Sequence, residues 1–223
     1  MAQIFPAGSN HAVRAVLIGV PLLVVGFVGA LYAVEWSPWA TRMYAPISQP
    51  VPFSHKHHVG QLGIDCRYCH GGVEKSQYAG LPPTETCMTC HSQLYTDQAM
   101  LQPVRDSLTN NRPIRWTKVH DLPDFVYFNH SIHVNAGMGC TSCHGRENQM
   151  QLVWQDQSLY MAWCLQCHRH PENYIAERSE VFNPQRVAAK DDPAKGLDWA
   201  KKLVKEYHVQ SSGVLTDCYT CHR

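Results

Sequence analysis

Ten cysteines in this 223-residue chain fall into five Cys-x-x-Cys-His boxes, and none is left over. The boxes are Cys66–His70 (box 1), Cys87–His91 (box 2), Cys140–His144 (box 3), Cys164–His168 (box 4) and Cys218–His222 (box 5). This spacing is the attachment signature of c-type haem, in which the two cysteines hold the porphyrin covalently and the histidine binds iron on one side. The sequence therefore predicts five covalently bound haem c groups.

Each box contributes two cysteines and one histidine to its haem. The predicted attachment residues are Cys66, Cys69, Cys87, Cys90, Cys140, Cys143, Cys164, Cys167, Cys218 and Cys221. The predicted proximal iron ligands are His70, His91, His144, His168 and His222. A zinc ribbon needs no histidine after each cysteine pair, and a thioredoxin-like dithiol occurs once rather than five times. These two alternatives and a disulfide framework are therefore disfavoured.

Two segments supply histidines for the opposite side of the iron. A Phe-x-His-x-x-His motif begins at position 53, before box 1, and again at position 128, before box 3, so the chain looks like a duplicated two-haem module. Histidines three residues apart on a helical turn project from one face and cannot flank a single porphyrin. We therefore expect His55 and His130 to serve the next box, and His58 and His133 to reach a neighbouring haem.

The fifth haem needs a further ligand, and His120 is the best remaining histidine. Met161, three residues before box 4, is its main competitor, because thioether ligation raises the potential of a haem. The weaker candidates are Met88, Met138, Met150, His57, His170 and His208. His11 precedes the apolar segment described next and is excluded.

The elements that must position these residues begin with a membrane anchor. Residues 15–34 carry no charge and are long enough to cross a bilayer as a helix. A secretory signal peptide is the alternative, but no small-residue cleavage site follows the run. Trp36 and Trp39 suit the outer interface. Since haem is attached outside the bacterial cytoplasm, we expect the amino terminus inside and the boxes outside.

Beyond the anchor the chain is rich in turn residues and poor in regular periodicity. We predict a mostly irregular fold with short α-helices carrying the boxes, packed around five haems. A helix from Leu197 to Tyr207 would place Leu197, Ala200, Leu203, Val204 and Tyr207 on one face. The predicted divisions are 1–14 (cytoplasmic), 15–34 (anchor), 35–52 (linker), 53–127 (first two-haem module), 128–180 (second two-haem module) and 181–223 (C-terminal helix and fifth haem).

The motifs resemble those of known multihaem cytochromes. The pairing of the two-histidine motif with Cys-x-x-Cys-His boxes is similar to cytochrome c3 and c7. With the anchor, the five boxes, the run from Arg115 to His130 and the segment Met161 to Arg169, the chain more closely resembles the pentahaem subunit of bacterial alternative complex III. That resemblance implies a quinol-oxidising complex of the bacterial cytoplasmic membrane, with polytopic quinol-binding subunits, an iron-sulfur subunit and a monohaem cytochrome c as partners.

We therefore expect an electron-transfer subunit that carries electrons to a periplasmic cytochrome or oxidase and is not an enzyme by itself. The alternatives are a self-sufficient quinol dehydrogenase of the membrane-anchored tetrahaem type and a multihaem reductase, which would need one five-coordinate iron. The formal charge of +1 disfavours binding to nucleic acid by bulk attraction.

Overall fold

The computed structural model describes residues 4–6, 8–192 and 194–222, and it divides the chain into one unit that ends at Met43 and one that begins at Tyr44. In the described residues there are helices, turns and irregular segments but no strand. The prediction of a mostly irregular fold with short helices and one apolar N-terminal helix is confirmed.

The first unit is dominated by helix α1, Ser9–Glu35, which contains the whole of the predicted span 15–34. No α1 residue is buried, and the helix is long and apolar enough to cross a membrane. At 1.5 Å per residue its 27 residues extend about 40 Å. Pro21 lies inside the helix, where a membrane environment tolerates it. A short helix α2, Pro38–Thr41, begins with proline at its first position, which suits the fixed φ of that residue.

The second unit consists of short elements. Its α-helices are α3 (Cys66–Cys69), α4 (Thr84–His91), α5 (Gln102–Thr109), α6 (His130–Asn135), α7 (Thr141–His144), α8 (Met161–Arg169), α9 (Gly196–Glu206), α10 (Ser212–Leu215) and α11 (Cys218–Cys221). A π-helical turn spans Lys56–Gln61, and 3-10 turns span Ala99–Leu101, Glu147–Gln149, Pro171–Asn173, Arg178–Glu180 and Ala189–Asp191. Each box lies on or immediately beside a short helix, as predicted.

Residues 44–52, within the predicted linker, are tied to later parts of the chain. The backbone N–H of Tyr44 donates to the carbonyl of Gln155 at 2.9 Å, and the Gln49 side chain bonds both the N–H and the carbonyl of Thr117. An extended segment that contains proline forms no backbone hydrogen bonds within itself, so its polar groups bond to other parts of the chain. This segment therefore contributes to the fold of the second unit.

The side-chain core of the second unit is small. Val73, Val134 and Val181 form one buried cluster, drawn from three distant parts of the chain. The predicted C-terminal helix is present as α9, and it buries Ala200 and Leu203 against the 3-10 turns Pro171–Asn173 and Ala189–Asp191. Leu197, at the start of the predicted face, is 41% exposed.

Arg186 connects the region around box 3. Its guanidinium donates to the carbonyls of Gly137 and Tyr174 and to the Ser142 hydroxyl. Gly137 has a φ of 84°, and a side chain there would overlap the carbonyl oxygen of Ala176. This close backbone approach allows the Ala176 N–H to bond the Gly137 carbonyl at 3.0 Å. The loop before box 3 is therefore fixed by side-chain and backbone contacts.

Candidate haem centres

Four box histidines face a second histidine ring at nearly the same separation. The ring centres are 6.5 Å apart for His55 and His70, 6.2 Å for His58 and His91, 6.3 Å for His130 and His144, and 6.1 Å for His133 and His168. A metal–imidazole bond is about 2 Å long and the nitrogen lies about 1 Å from the ring centre, so two imidazoles on one metal have centres about 6 Å apart. The four gaps fit an iron with a histidine on each side.

Hydrogen bonds at Nδ1 leave Nε2 free in most of these rings. Nδ1 contacts a backbone carbonyl oxygen in His58, His70, His91, His130, His133 and His168, at distances of 2.7–3.2 Å. A bond of this kind selects the tautomer with the proton on Nδ1 and orients the ring for metal binding through Nε2. These hydrogen bonds at Nδ1 therefore also fit iron ligation through Nε2.

The first clamp, His55 and His58, is held by Phe53. The Phe53 ring meets His55 edge-on at 4.9 Å and stacks on His58 at 4.3 Å. The clamp lies where the π-helical turn begins, and the Ser54 hydroxyl accepts a bond from the His57 N–H at 3.1 Å. The aromatic ring thus fixes both histidines while they point toward different boxes.

The second clamp, His130 and His133, repeats this arrangement. Phe128 meets His130 edge-on at 4.8 Å and stacks on His133 at 4.5 Å. Helix α6 begins at His130 because the Asn129 side chain caps it by accepting from the Ser131 N–H at 2.9 Å. The agreement of the two clamps supports the predicted duplication at the level of side-chain geometry.

The clamps differ at one hydrogen bond. Nδ1 of His130 contacts the carbonyl oxygen of Gln77 at 2.9 Å, whereas Nδ1 of His55 is buried without a hydrogen-bond partner. Burial, together with the neighbouring His70 and His58, lowers the pKa of His55 to about 4. His55 is therefore a neutral imidazole at neutral pH, the form that binds metals.

Box 5 has a different neighbour. The described ring beside His222 belongs to Phe125, with centres 5.7 Å apart, and Nδ1 of His222 contacts the Phe125 carbonyl oxygen at 3.1 Å. The Tyr127 N–H also donates to the carbonyl of Cys221 at 2.9 Å. The segment 125–127 therefore holds the last box in place.

His120, the predicted ligand of the fifth haem, packs against His144 of box 3. The two ring centres are 4.2 Å apart and the rings are nearly perpendicular. Burial lowers the pKa of His120 to about 4, and its Nε2 is buried without a hydrogen-bond partner. Its ligation of the fifth haem stays a prediction, and the ring that it contacts belongs to box 3.

The other candidate ligands occupy varied positions. Met161 begins α8 and is 66% exposed, whereas Met150 is 1% exposed in the side-chain core. His57 bonds the Gln61 side chain through Nδ1 at 2.8 Å, and exposed His170 contacts Glu172 at 3.4 Å. His57 and His170 thus have local polar partners on the protein surface.

Glu147 is a residue that the sequence did not single out. Its carboxylate lies 3.5 Å from Nδ1 of His144, three residues from the box, and burial raises the pKa of Glu147 to about 8. In the sequence, the one feature that could have pointed to Glu147 is its position three residues after His144. Glu147 gives His144 a side-chain partner where the other box histidines contact a backbone carbonyl.

Each of the five boxes places two cysteines three positions apart, next to one histidine. Across the described ranges, no group of three or more histidine, cysteine, aspartate or glutamate side chains gathers around a single point that could hold a bare metal ion. The donor set instead consists of paired cysteines beside paired histidines, which suits a porphyrin that brings four of its own nitrogen ligands.

Comparisons with known proteins agree with this donor set. Residues 33–107, which include boxes 1 and 2, match the class III cytochrome C family. The chain is 36% identical over 121 residues to the multihaem cytochrome c subunit of menaquinone reductase from Nitratidesulfovibrio vulgaris, covering 53% of this chain. The match spans 57% of that relative's length. Over about half its length, the chain is thus similar to a multihaem cytochrome c subunit.

Proposed function

We propose that the chain is a membrane-anchored electron-transfer subunit with five haem c groups. The four facing histidine pairs, at 6.1–6.5 Å, are the observation that carries this proposal. Haem iron, once bound, would supply one-electron redox chemistry. When both axial positions are filled, the iron has no open position for a substrate. In each of the four pairs the two histidines would hold one iron from both sides, and the hydrogen bonds at Nδ1 fix the orientation of most of these rings.

In this proposal the axial pairs are His55 with His70, His58 with His91, His130 with His144, and His133 with His168. Their Nε2 atoms bind iron, while the cysteines of each box attach the porphyrin. Such bis-histidine sites favour electron transfer over catalysis at iron. The chain therefore acts as a conduit, and quinone chemistry takes place on partner subunits.

For the fifth haem we propose Met161 as the ligand opposite His222. Helix α8, which begins at Met161, packs against α10, and α10 ends three residues before box 5. His120 is the alternative, but its ring lies against His144 instead. A thioether ligand would give the fifth haem a higher potential than a bis-histidine haem.

The partners we propose are those of a quinone-linked complex such as alternative complex III: polytopic quinone-binding subunits, an iron-sulfur subunit and a monohaem cytochrome c. The relative is named a menaquinone reductase subunit, which favours a second direction of flow, from a periplasmic donor toward the quinone. In both cases α1 anchors the chain in a bacterial cytoplasmic membrane, with the boxes on the outer side.

Haem analysis and electron paramagnetic resonance of the purified chain test the proposal. We expect five covalently bound haems, all low-spin in the ferric state. A stoichiometric high-spin ferric signal would support the reductase alternative. Reduction of the isolated chain by a quinol analogue, at the rate seen in the assembled complex, would instead support a self-sufficient quinol dehydrogenase.

A further inference from the structure

We infer that the five boxes form one unbranched row in the order box 2, box 1, box 3, box 4, box 5, so that electrons enter and leave at boxes 2 and 5. This inference rests on the proposed function, because it assigns a haem to each box. It differs from the order of the boxes in the sequence, in which box 1 comes first.

Boxes 1 and 2 are adjacent because one clamp serves both. His55 faces His70 of box 1, and three residues later His58 faces His91 of box 2. The hydroxyl of Tyr68, inside box 1, lies 2.8 Å from the Thr89 hydroxyl inside box 2. Side chains from both boxes therefore meet directly.

Boxes 3 and 4 are adjacent for the same reason. His130 faces His144 of box 3, and His133 faces His168 of box 4. The duplicated clamp therefore generates a second adjacent pair.

Box 1, rather than box 2, connects the two pairs. The guanidinium of Arg67, inside box 1, lies over the Phe182 ring at 4.4 Å. The carbonyl of Val181, the residue before Phe182, accepts from the N–H of Cys140, the first residue of box 3, at 3.2 Å.

Backbone packing supports the same junction. The Lys56 N–H donates to the Met150 carbonyl at 2.9 Å, and Gly60 lies against the carbonyl of Asn148. These contacts press the π-helical turn of the first clamp against the 3-10 turn that follows box 3. The second clamp is tied in turn to the segment after box 1, because Nδ1 of His130 donates a hydrogen bond to the carbonyl of Gln77.

Box 5 extends the row from box 4. Nδ1 of His168 in box 4 contacts the carbonyl oxygen of Leu215, three residues before box 5, at 2.8 Å. Helix α8, which carries box 4, packs against α10, which ends three residues before box 5. No other box makes such contacts with box 5 among the described residues, which leaves box 5 at one end and box 2 at the other.

This order has a functional consequence. Box 1 precedes box 2 in the sequence but occupies an inner position, so an electron from box 2 passes box 1 before it reaches box 3. A redox partner exchanges electrons with the chain beside box 2 or box 5. Boxes 1, 3 and 4 act only as intermediates.

Iron positions in the holoprotein test the order. Anomalous diffraction at the iron edge, or a cryo-electron microscopy map of the assembled complex, locates each iron next to its box in the unaltered protein. We expect five irons in one row, with those of boxes 2 and 5 at the ends. Five irons in sequence order, or a branch at box 3, would overturn the inference but leave the proposed function intact. Fewer than five irons would overturn both.

A variant provides a second measurement. His58→Met is expected to raise the potential of the box 2 haem, because methionine replaces an axial histidine. In a redox titration that resolves the haems by their spectra, we then compare the midpoint potentials of the other four haems. The potential of the box 1 haem should shift most, because it lies next to the box 2 haem. A larger shift at box 3 than at box 1 would contradict the order. Haem content and the low-spin signals of boxes 3 to 5 serve as the folding control.

Discussion

The rings of His55 and His70 are parallel to within 2°, with their centres 6.5 Å apart. No local secondary structure imposes this relationship, because fifteen sequence positions and an irregular segment separate the two residues. The turn at Lys56–Gln61 places one ring and helix α3 places the other. Two parallel rings placed by separate elements indicate a site for one shared metal. Replacing a single histidine of such a pair should therefore change one site only.

We expect His58→Ala to convert one haem of the five from low-spin to high-spin, because it removes the ring that faces His91. Electron paramagnetic resonance of the oxidised protein measures the high-spin ferric signal. The adjacent variant His57→Ala is the matched control, since His57 bonds Gln61 and is paired with no box histidine in the described structure. Equal spectra for the two variants would contradict the assignment of His58.

We expect Met161→Leu to abolish the near-infrared charge-transfer band of a thioether-ligated ferric haem and to change one haem potential. The reason is that leucine has a similar volume but no sulfur to bind iron. Met100→Leu is the control, because Met100 is similarly exposed, at 59%, on a 3-10 turn. If the unaltered protein shows no such band and His120→Gln converts one haem from low-spin to high-spin, then His120 is the ligand.

Arg186→Ala should lower the stability of the holoprotein by about 2 to 3 kcal/mol, because it leaves the buried carbonyls of Gly137 and Tyr174 without their charged donor. Chemical unfolding followed by circular dichroism measures the change. Lys201→Ala removes only an exposed pair with Asp198 and should change stability by less than about 0.5 kcal/mol. Similar losses in both variants would mean that Arg186 does not fix box 3.

Gly60→Ala should destabilise the protein by about 2 kcal/mol, because the new methyl group would overlap the Asn148 carbonyl oxygen. Since this contact joins the first clamp to the region of box 3, we also expect altered spectra for the haems of boxes 1 and 3. Gly213→Ala is the control: its nearest neighbour is 4.0 Å away, and alanine favours the helix. Unchanged melting and spectra for Gly60→Ala would show that the turn can move away.

Leu23→Arg should release much of the chain from the membrane. Arginine at the centre of a spanning helix costs about 2.5–3.5 kcal/mol on insertion scales, and Leu23 lies near the middle of α1. Extraction of membranes with alkaline carbonate, followed by haem staining, measures the soluble fraction. Arg14→Lys, which keeps the charge before the apolar run, should leave the chain in the membrane fraction.

The local parts of the structure were predictable from sequence. The boxes contain their own helix-forming residues, and the apolar run has no competing signal, so both appear as predicted. Helix α9 was predicted to within one residue at each end, because its apolar spacing follows the helical repeat.

Long-range contacts were not predictable. The neighbour of His222 is Phe125, 97 positions earlier, and the contact of His120 with His144 depends on how the irregular segment 110–129 folds back. Periodicity and spacing report only on residues close in sequence. The hydrogen bonds of Arg186 likewise have no local signature.

In every facing pair the clamp histidine comes earlier in the chain than its box: His55 and His58 precede His70 and His91, and His130 and His133 precede His144 and His168. With the amino terminus inside, as proposed above, the chain beyond α1 is exported in chain order, so each clamp leaves the cytoplasm before the boxes that it completes. Each newly attached haem meets its second ligand as soon as its own box emerges, so assembly of these four centres can keep pace with translocation.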